Sequence, residues 1–125
     1  TSSEMPSVSK VMTATEIIQF QRLIRKIPIT DNVLEYAVGL ASKTRPGRDN
    51  SPELVNNYLA WGAGPRASQY LVLGAKCHAA TKGKYSPDIE DVRAVALPIL
   101  RHRVFKNYKA EAEGLDIDDI LQQLL

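Results

Sequence analysis

The segment Trp61-Gly-Ala-Gly-Pro-Arg-Ala-Ser68 places a glycine turn directly before a predicted helix that begins at Pro65. Proline suits the first helical position because its missing N–H would have no intrahelical partner there. Gly62 and Gly64 allow the backbone to turn sharply and to approach a ligand closely. Arg66 then lies among the free N–H groups at the positive end of the helix dipole, where a phosphate can bind. Taken alone, this local chemistry favours a solvated arginine over a phosphate site.

Helical periodicity surrounds this turn and predicts a compact all-α bundle of about six helices without an internal repeat. The longest helix runs from Pro65 to about Lys82, where Gly83 ends it, and its stripe of small residues predicts a central position. The other predicted helix starts are Thr13 with a capping box to Glu16, Asp31 or Asn32, Ser51-Pro52-Glu53, Ser86-Pro87 and Asp116.

Several breaks divide the predicted helices. Pro28 ends the first helix, Gly62 ends the third, and Pro98 is expected to kink or divide the fifth. Val104-Phe105 is compatible with a short strand or an extended link, so one very short strand pair is allowed. Residues 1–12 are rich in serine and show no period, which is typical of a linker or leader segment, and residues 13–125 form the predicted domain.

A series of short motifs follows the same order along the chain as in one known family. The motifs are Arg45-Pro46-Gly47, Trp61-Gly-Ala-Gly-Pro-Arg-Ala67, Tyr85-Ser-Pro-Asp-Ile-Glu-Asp-Val92, Arg101-His-Arg103, Asn107-Tyr108 and Ala110-Glu-Ala-Glu-Gly114. In their order and spacing they resemble the C-terminal helical lid of MoxR-type AAA+ ATPases, from about Thr13 to Leu125. The stretch GAGPRA (62–67) resembles that family's sensor 2 turn, usually GASPRA. Gly64 replaces the serine and keeps the ability to cap the helix.

This resemblance implies a function that the residues alone do not establish. In such enzymes ATP lies between a core domain and the lid, so Arg66 would contact the γ-phosphate, and Gly62, Gly64 and Pro65 would shape the turn that carries it. The core domain, which would lie in the same chain, would hold ATP and Mg²⁺. The resemblance also implies a ring, commonly a hexamer, and chaperone-like remodelling with von Willebrand factor A domain proteins.

Composition and charge are those of an ordinary globular protein. The 125 residues are 44% hydrophobic and 24% charged, with a net charge of +2. All sixteen Lys and Arg lie in residues 1–110, whereas residues 111–125 contain five acidic residues and no basic one. No apolar run is long enough for a membrane span. The single cysteine excludes an internal disulfide and suits a reducing compartment, so we expect a cytoplasmic protein.

The absence of two motifs limits the chemistry of this chain. It contains no Walker A phosphate loop and no apolar strand ending in Asp-Glu, which would hold magnesium and polarise water. The chain is therefore not expected to hydrolyse ATP alone. Cys77 and His78 are adjacent on one helix and cannot face a common metal, and Asp116, Asp118 and Asp119 are typical of helix capping, so no metal site is predicted.

Other polar and aromatic residues have structural interpretations. We expect a packed thiol at Cys77, a hydrogen-bonded packing residue at His78, and an anchor for the turn in the core from Tyr58 and Trp61. The acidic tail, with an apolar stripe from Ile117 to Leu125, is expected to pack on its own bundle. The sequence leaves open whether phosphate, a neighbouring subunit or only water contacts the remaining arginines of interest, which are Arg45, Arg48, Arg101 and Arg103.

An alternative function is a freestanding helical module that docks proteins or nucleic acid and has no nucleotide role. The basic body of the chain is compatible with nucleic acid. However, aromatic residues do not alternate with the basic ones, and no recognition-helix pattern is present, so nucleic acid is the weaker partner. Docking of a protein is harder to exclude because lids themselves dock partners.

Overall fold

Seven helices and one pair of short strands are found in residues 3–125, the part of the chain that the computed structural model describes. The elements are α1 Ala14–Lys26, α2 Asp31–Lys43, α3 Glu53–Tyr58, β1 Leu59–Trp61, α4 Pro65–Thr81, α5 Ile89–Leu100, β2 Phe105–Lys106, α6 Tyr108–Ala112 and α7 Ile117–Gln122. The structure confirms the all-α class and the very short strand pair. The predicted count was about six helices, and α6 is the short helix that the periodicity did not reveal.

The helix starts follow local capping chemistry where the cap is Thr13 or Asp116. Thr13 forms the predicted capping box with Glu16, and Asp116 accepts a hydrogen bond from the amide of Asp118. Three predicted starts were wrong by one or two residues, because the N-caps are Thr30 in α2, Pro52 in α3 and Asp88 in α5.

Serine hydroxyls at two of those predicted starts bond to carbonyls outside the helix instead of capping it. The hydroxyl of Ser51 donates to the carbonyl of Arg45, and the hydroxyl of Ser86 donates to the distant carbonyl of Pro28 at 3.1 Å. Asp88 then caps α5 through the amide of Glu90 and forms a capping box with Asp91. Neither serine caps its helix, and the N-caps lie one and two residues later, at Pro52 and Asp88.

Helix α3 ends at Tyr58, four residues before the predicted end at Gly62. The last carbonyl groups of α3 accept hydrogen bonds from Asn107 instead of continuing the helix. The amide of Asn107 donates to the carbonyl of Tyr58 at 2.9 Å, and its side chain donates to the carbonyl of Asn57 at 2.7 Å. The chain then continues as β1, which pairs antiparallel with β2. The turn that follows β1 lies beside the end of α2, where Ala63 bonds to Thr44 and Arg45.

Helix α4 lies at the centre of the domain, as predicted, and contacts α1, α2 and α5. Its residues Ala67, Leu71, Ala75 and Ala79 are buried at helical spacing. On the side facing α5, a Cβ added at Gly74 would lie 2.9 Å from Ile99 Cδ1, so this glycine permits close packing of the two helices. Helix α4 is consequently supported along its whole length.

The two ends of the chain differ in how they pack. Residues 3–12 form no helix or strand, and Thr1 and Ser2 of the predicted linker lie outside the described residues. Helix α1 packs beside α4 but buries none of its residues fully. In contrast, Ile120, Leu121 and Leu124 of the acidic tail lie in the main core, which confirms that the tail packs on its own bundle.

Of the two predicted effects of Pro98, a kink or a division, the division is wrong, because α5 is continuous through this residue. The proline lies in the last turn of α5 and is exposed. Pro98 has no N–H to donate to the carbonyl of Ala94, and Ala94 is exposed, so water can solvate that carbonyl.

A buried carboxylate, Asp91, ties the start of α5 to the end of α4. Its oxygens accept from Lys84 Nζ at 2.5 Å and from the Asp88 amide at 2.9 Å, and lie 2.7 Å from His78 Nδ1. Burial alone would raise the pKa of Asp91, but the hydrogen bonds from Lys84, the Asp88 amide and His78 outweigh it and lower the pKa to about 2. Asp91 is therefore ionised in the folded protein over the neutral range.

Candidate functional site

The glycine turn between β1 and α4 presents Arg66 in the first turn of the central helix. Gly64 is the N-cap with extended backbone, and Pro65 is the first helical residue, as predicted. The amide of Ala67 donates to the carbonyl of Gly64 at 3.0 Å and closes the first turn. The fixed φ of Pro65, directly before Arg66, thus sets the direction in which α4 starts.

Arg66 is exposed at the rim of an open groove between α1, α2 and α4. Within residues 3–125 it makes no ion pair with a carboxylate. The groove has a volume of about 680 Å³, and its lining includes Arg25, Leu34, Val38 and Tyr70 as well as Arg66. An unpaired guanidinium beside the N–H groups of a helix start is suited to an anion that approaches from outside the domain.

Gly62 and Gly64 differ in their surroundings although they are only two residues apart. A Cβ added at Gly62 would lie 2.4 Å from the carbonyl oxygen of Thr44 and 2.5 Å from Arg45 Cα, whereas a Cβ added at Gly64 would meet no atom of residues 3–125 within 4 Å. Neither glycine has positive φ. The close approach that Gly62 permits is therefore to the end of α2.

Thr44 and Arg45 hold this turn through the backbone of Ala63. The fully buried Thr44 hydroxyl accepts from the Ala63 amide at 2.8 Å and donates to the carbonyl of Ala41 at 2.7 Å. Arg45 Nε donates to the carbonyl of Ala63 at 2.7 Å. Sequence reasoning missed this pair, because the segment from Thr44 to Asn50 has the composition of a loop. The only signal was that Arg45 belongs to one of the motifs shared with the lid family.

The prediction that Trp61 anchors the turn in the core was wrong. The Trp61 side chain is 71% exposed, and its strand partner Phe105 is 60% exposed. The pairing of β1 with β2 is irregular between Leu59 and Trp61, so these two residues do not both face the core as strand alternation would require. Leu59 is buried and Tyr58 is half-buried, so these residues hold this side of the turn.

Cys77 and His78 have separate environments on α4. Cys77 is exposed, which contradicts the prediction of a packed thiol. The buried residues Ala75 and Ala79 lie two positions away on either side, about 200° around the helix, so Cys77 faces outward. His78 has its ring nitrogen paired with Asp91, which confirms a satisfied packing residue.

Three of the four remaining arginines make contacts inside the domain. Arg101 forms a two-bond ion pair with Asp118, at 3.1 Å from Nε and 3.0 Å from the terminal nitrogen. The guanidinium of Arg103 stacks 4.5 Å from the ring centroid of Tyr70. Arg45 binds Ala63, as described above, and Arg48 is exposed. The sequence had left the contacts of these arginines open.

The part of the chain that the structure describes holds neither a group of metal ligands nor a membrane-spanning helix. Among residues 3–125, histidine, cysteine and carboxylate side chains do not gather in groups of three or more that could hold a metal ion. In the same part of the chain, each helix is too short or too polar to cross a membrane.

Comparison with known proteins supports a single family. The pattern of the AAA lid domain family matches residues 52–124. Chaperone MoxR1 of Mycobacterium tuberculosis is 23% identical over 120 residues, which cover 96% of this chain and 32% of that protein. A crystal structure of a protein from Cytophaga hutchinsonii, provisionally named an ATPase, has a TM-score of 0.81 and 30% identity, with 88% of this chain and 33% of the other covered. This chain thus spans about a third of the length of both relatives.

The fold and the turn define a helical lid, and the family pattern extends over more than half of the chain. The chain therefore belongs to the AAA lid domain family. Its similarity to MoxR1 and to the Cytophaga protein confirms the predicted resemblance to the lid of a MoxR-type AAA+ ATPase.

Proposed function

We propose that this lid closes over ATP held by an AAA+ core domain in the same chain, and that Arg66 is the sensor 2 arginine that contacts the γ-phosphate. The observation that carries the proposal is the placement of Arg66 at the start of α4, exposed and without an ion pair within residues 3–125. Family membership supports the core domain as a partner, since lids of this family belong to AAA+ ATPases.

The chemistry of arginine fits this role. A guanidinium presents two parallel N–H donors to a phosphate and stays charged at any working pH. The free N–H groups of the first turn of α4 add positive potential at the same place. The core domain would hold ATP and Mg²⁺ and supply the phosphate loop, which this chain lacks. Gly62, Gly64 and Pro65 would contribute by shaping the turn.

Loss of the γ-phosphate would remove the bond that holds the lid closed. The lid would then be free to rotate relative to the core, and hydrolysis would be converted into movement between subunits. We propose on this basis a chaperone-like remodelling function in a ring, commonly a hexamer, in the cytoplasm. A von Willebrand factor A domain protein is the partner that the family resemblance suggests.

The test is steady-state ATP hydrolysis by the whole ATPase that carries this lid, compared with its Arg66→Ala and Arg66→Lys variants. We expect Arg66→Ala to lower kcat by about a hundredfold, the usual cost of one lost donor to transition-state charge. Lysine keeps the charge but loses the two-donor geometry, so Arg66→Lys should retain only part of the rate. The matched control is Arg93→Ala, because Arg93 is exposed on α5 and does not line the groove.

Equal rates for the wild type and folded Arg66→Ala would remove Arg66 from the mechanism. An inactive wild type would favour the alternative of a docking module without a nucleotide role. A steep loss of DNA or RNA binding with rising salt would then identify nucleic acid as the partner, and its absence at low salt would leave protein docking.

A further inference from the structure

The backbone of Ala63, three residues before Arg66, is held at both of its polar groups by side chains from the end of α2. Its amide donates to Thr44 Oγ1 at 2.8 Å, and its carbonyl accepts from Arg45 Nε at 2.7 Å. Buried backbone groups of this kind need a partner, which can be the backbone, a side chain or water. Here, two side chains about eighteen positions earlier in the chain are the partners.

Thr44 is well placed to act as a fixed support. Its side chain is fully buried, and its hydroxyl also donates to the carbonyl of Ala41 at 2.7 Å, one turn earlier. With one bond to α2 and one to the turn, the hydroxyl cannot rotate without breaking a buried hydrogen bond. The position of Ala63 is consequently tied to the helical end of α2.

Gly62, the residue before Ala63, restricts the turn further through steric contact. A Cβ at this position would lie 2.4 Å from the Thr44 carbonyl oxygen and 2.6 Å from the Arg45 backbone nitrogen, so the two backbones are in direct contact. The turn is thus held by steric contact at Gly62 and by two hydrogen bonds at Ala63.

The segment that carries Arg45 is itself closed by hydrogen bonds. The Ser51 hydroxyl donates to the Arg45 carbonyl at 2.5 Å and accepts from the Arg48 amide at 2.9 Å. The Gly47 amide donates to the side chain of Asn56 at 2.8 Å. Arg45 is therefore presented from an ordered loop, which makes its bond to Ala63 a defined constraint.

We infer that Thr44 and Arg45 are positioning residues for Arg66. They hold Ala63, Gly64 follows as the N-cap, and Pro65 has a fixed φ, so the direction of the first turn of α4 is determined by the end of α2. Arg66 then meets its phosphate without first ordering the turn. This inference rests on the proposed function of Arg66.

The experiment uses the whole ATPase with two variants that remove the bonds to Ala63 and two controls. Thr44→Val removes the hydroxyl, and Arg45→Met removes the donor but keeps a long side chain. Thr81→Val is the control for the first, since the Thr81 hydroxyl donates to the His78 carbonyl three residues before it but lies far from the turn. Arg93→Met is the control for the second, because Arg93 is an exposed arginine on α5, away from the turn.

We expect Thr44→Val and Arg45→Met each to lower kcat about tenfold, because small misplacement of a charged group lowers the rate steeply. KM for ATP should change little, and Thr44→Ser, which keeps the hydroxyl, should restore the rate. In an Arg66→Ala background, neither change should lower kcat further, since each acts through Arg66. Both controls should keep the wild-type rate.

A loss of rate that is the same in the wild-type and Arg66→Ala backgrounds would show a merely structural role and overturn the inference. If both folded positioning variants keep the wild-type kcat while Arg66→Ala loses it, the inference is wrong and the proposed function stands. If Arg66→Ala itself retains the wild-type rate, the proposed function and the positioning role both fail. Thermal unfolding of each variant identifies any that does not fold, and Arg45→Met, at a half-buried position, tests the inference if Thr44→Val is unfolded.

Discussion

Replacement of Gly62 by alanine is the most direct test of how the turn is held. The added Cβ would lie 2.4 Å, 2.5 Å and 2.6 Å from three backbone atoms of Thr44 and Arg45. Ordinary contacts between such atoms begin near 3.5 Å, so the turn and the end of α2 must separate by about 1 Å. These neighbours are backbone atoms, which cannot move aside as a flexible side chain does.

That separation sets the size of the effect. The bonds from Ala63 to Thr44 and Arg45 measure 2.8 Å and 2.7 Å, and a movement of about 1 Å would take both beyond hydrogen-bond distance. Two lost bonds of about 1 kcal/mol each, with residual overpacking, give a destabilisation of about 2–3 kcal/mol. At about 4 °C per kcal/mol for a domain of this size, Tm should fall by about 10 °C.

The assay is thermal unfolding followed by circular dichroism, with Gly64→Ala as the matched control in the same turn. At Gly64 the added Cβ meets no atom of the described part of the chain within 4 Å. The entropy gained on replacing glycine and the weaker N-cap formed by alanine oppose each other, so this control should stay within about 0.5 kcal/mol of the wild type. Amide hydrogen exchange at Ala63 should accelerate in Gly62→Ala alone. Equal Tm values for the two variants would refute the argument that Gly62 is required for close approach.

Two further predictions concern buried polar groups. The ionised form of Asp91 stabilises the fold, since its folded pKa of about 2 lies below its ordinary value of 3.8. This stabilisation is nearly complete above about pH 5 and is lost as the pH falls towards 2. The decline of Tm between pH 4 and pH 2 should therefore be shallower in Asp91→Asn, and an equally steep decline would exclude Asp91 as its cause. The buried Tyr36 hydroxyl has no hydrogen-bond partner within residues 3–125, so Tyr36→Phe should raise stability by about 1 kcal/mol in urea unfolding. Tyr85→Phe, at an exposed tyrosine, should have no effect, and a destabilised Tyr36→Phe would show that the hydroxyl does find a partner.

Local signals predicted the helical architecture well where the determining atoms lie within about four residues. The capping box of Thr13 with Glu16 and the cap at Asp116 depend on backbone groups of the same turn, and both were confirmed. The course of α4 from Pro65 followed in the same way from proline at its start and from Gly83, which has positive φ, after its end. The predicted starts at Ser51 and Ser86 were wrong, since the Ser51 hydroxyl bonds to a carbonyl six residues earlier in its loop and the Ser86 hydroxyl bonds to the distant carbonyl of Pro28.

The sequence by itself determined the class of fold and the position of Arg66 at the start of the central helix, because periodicity, proline and glycine act locally. The order and spacing of its motifs determined the resemblance to a lid. Only the tertiary structure decided how that arginine is supported. The contacts of Ala63 with Thr44 and Arg45 join positions about eighteen residues apart, and no spacing rule predicts which loop will meet which turn. The same reason explains Trp61, since its exposure follows from an irregular pairing with a strand more than forty residues later in the chain. Such contacts arise when α2, α4 and the strand pair pack together, and the turn acquires its geometry from that packing.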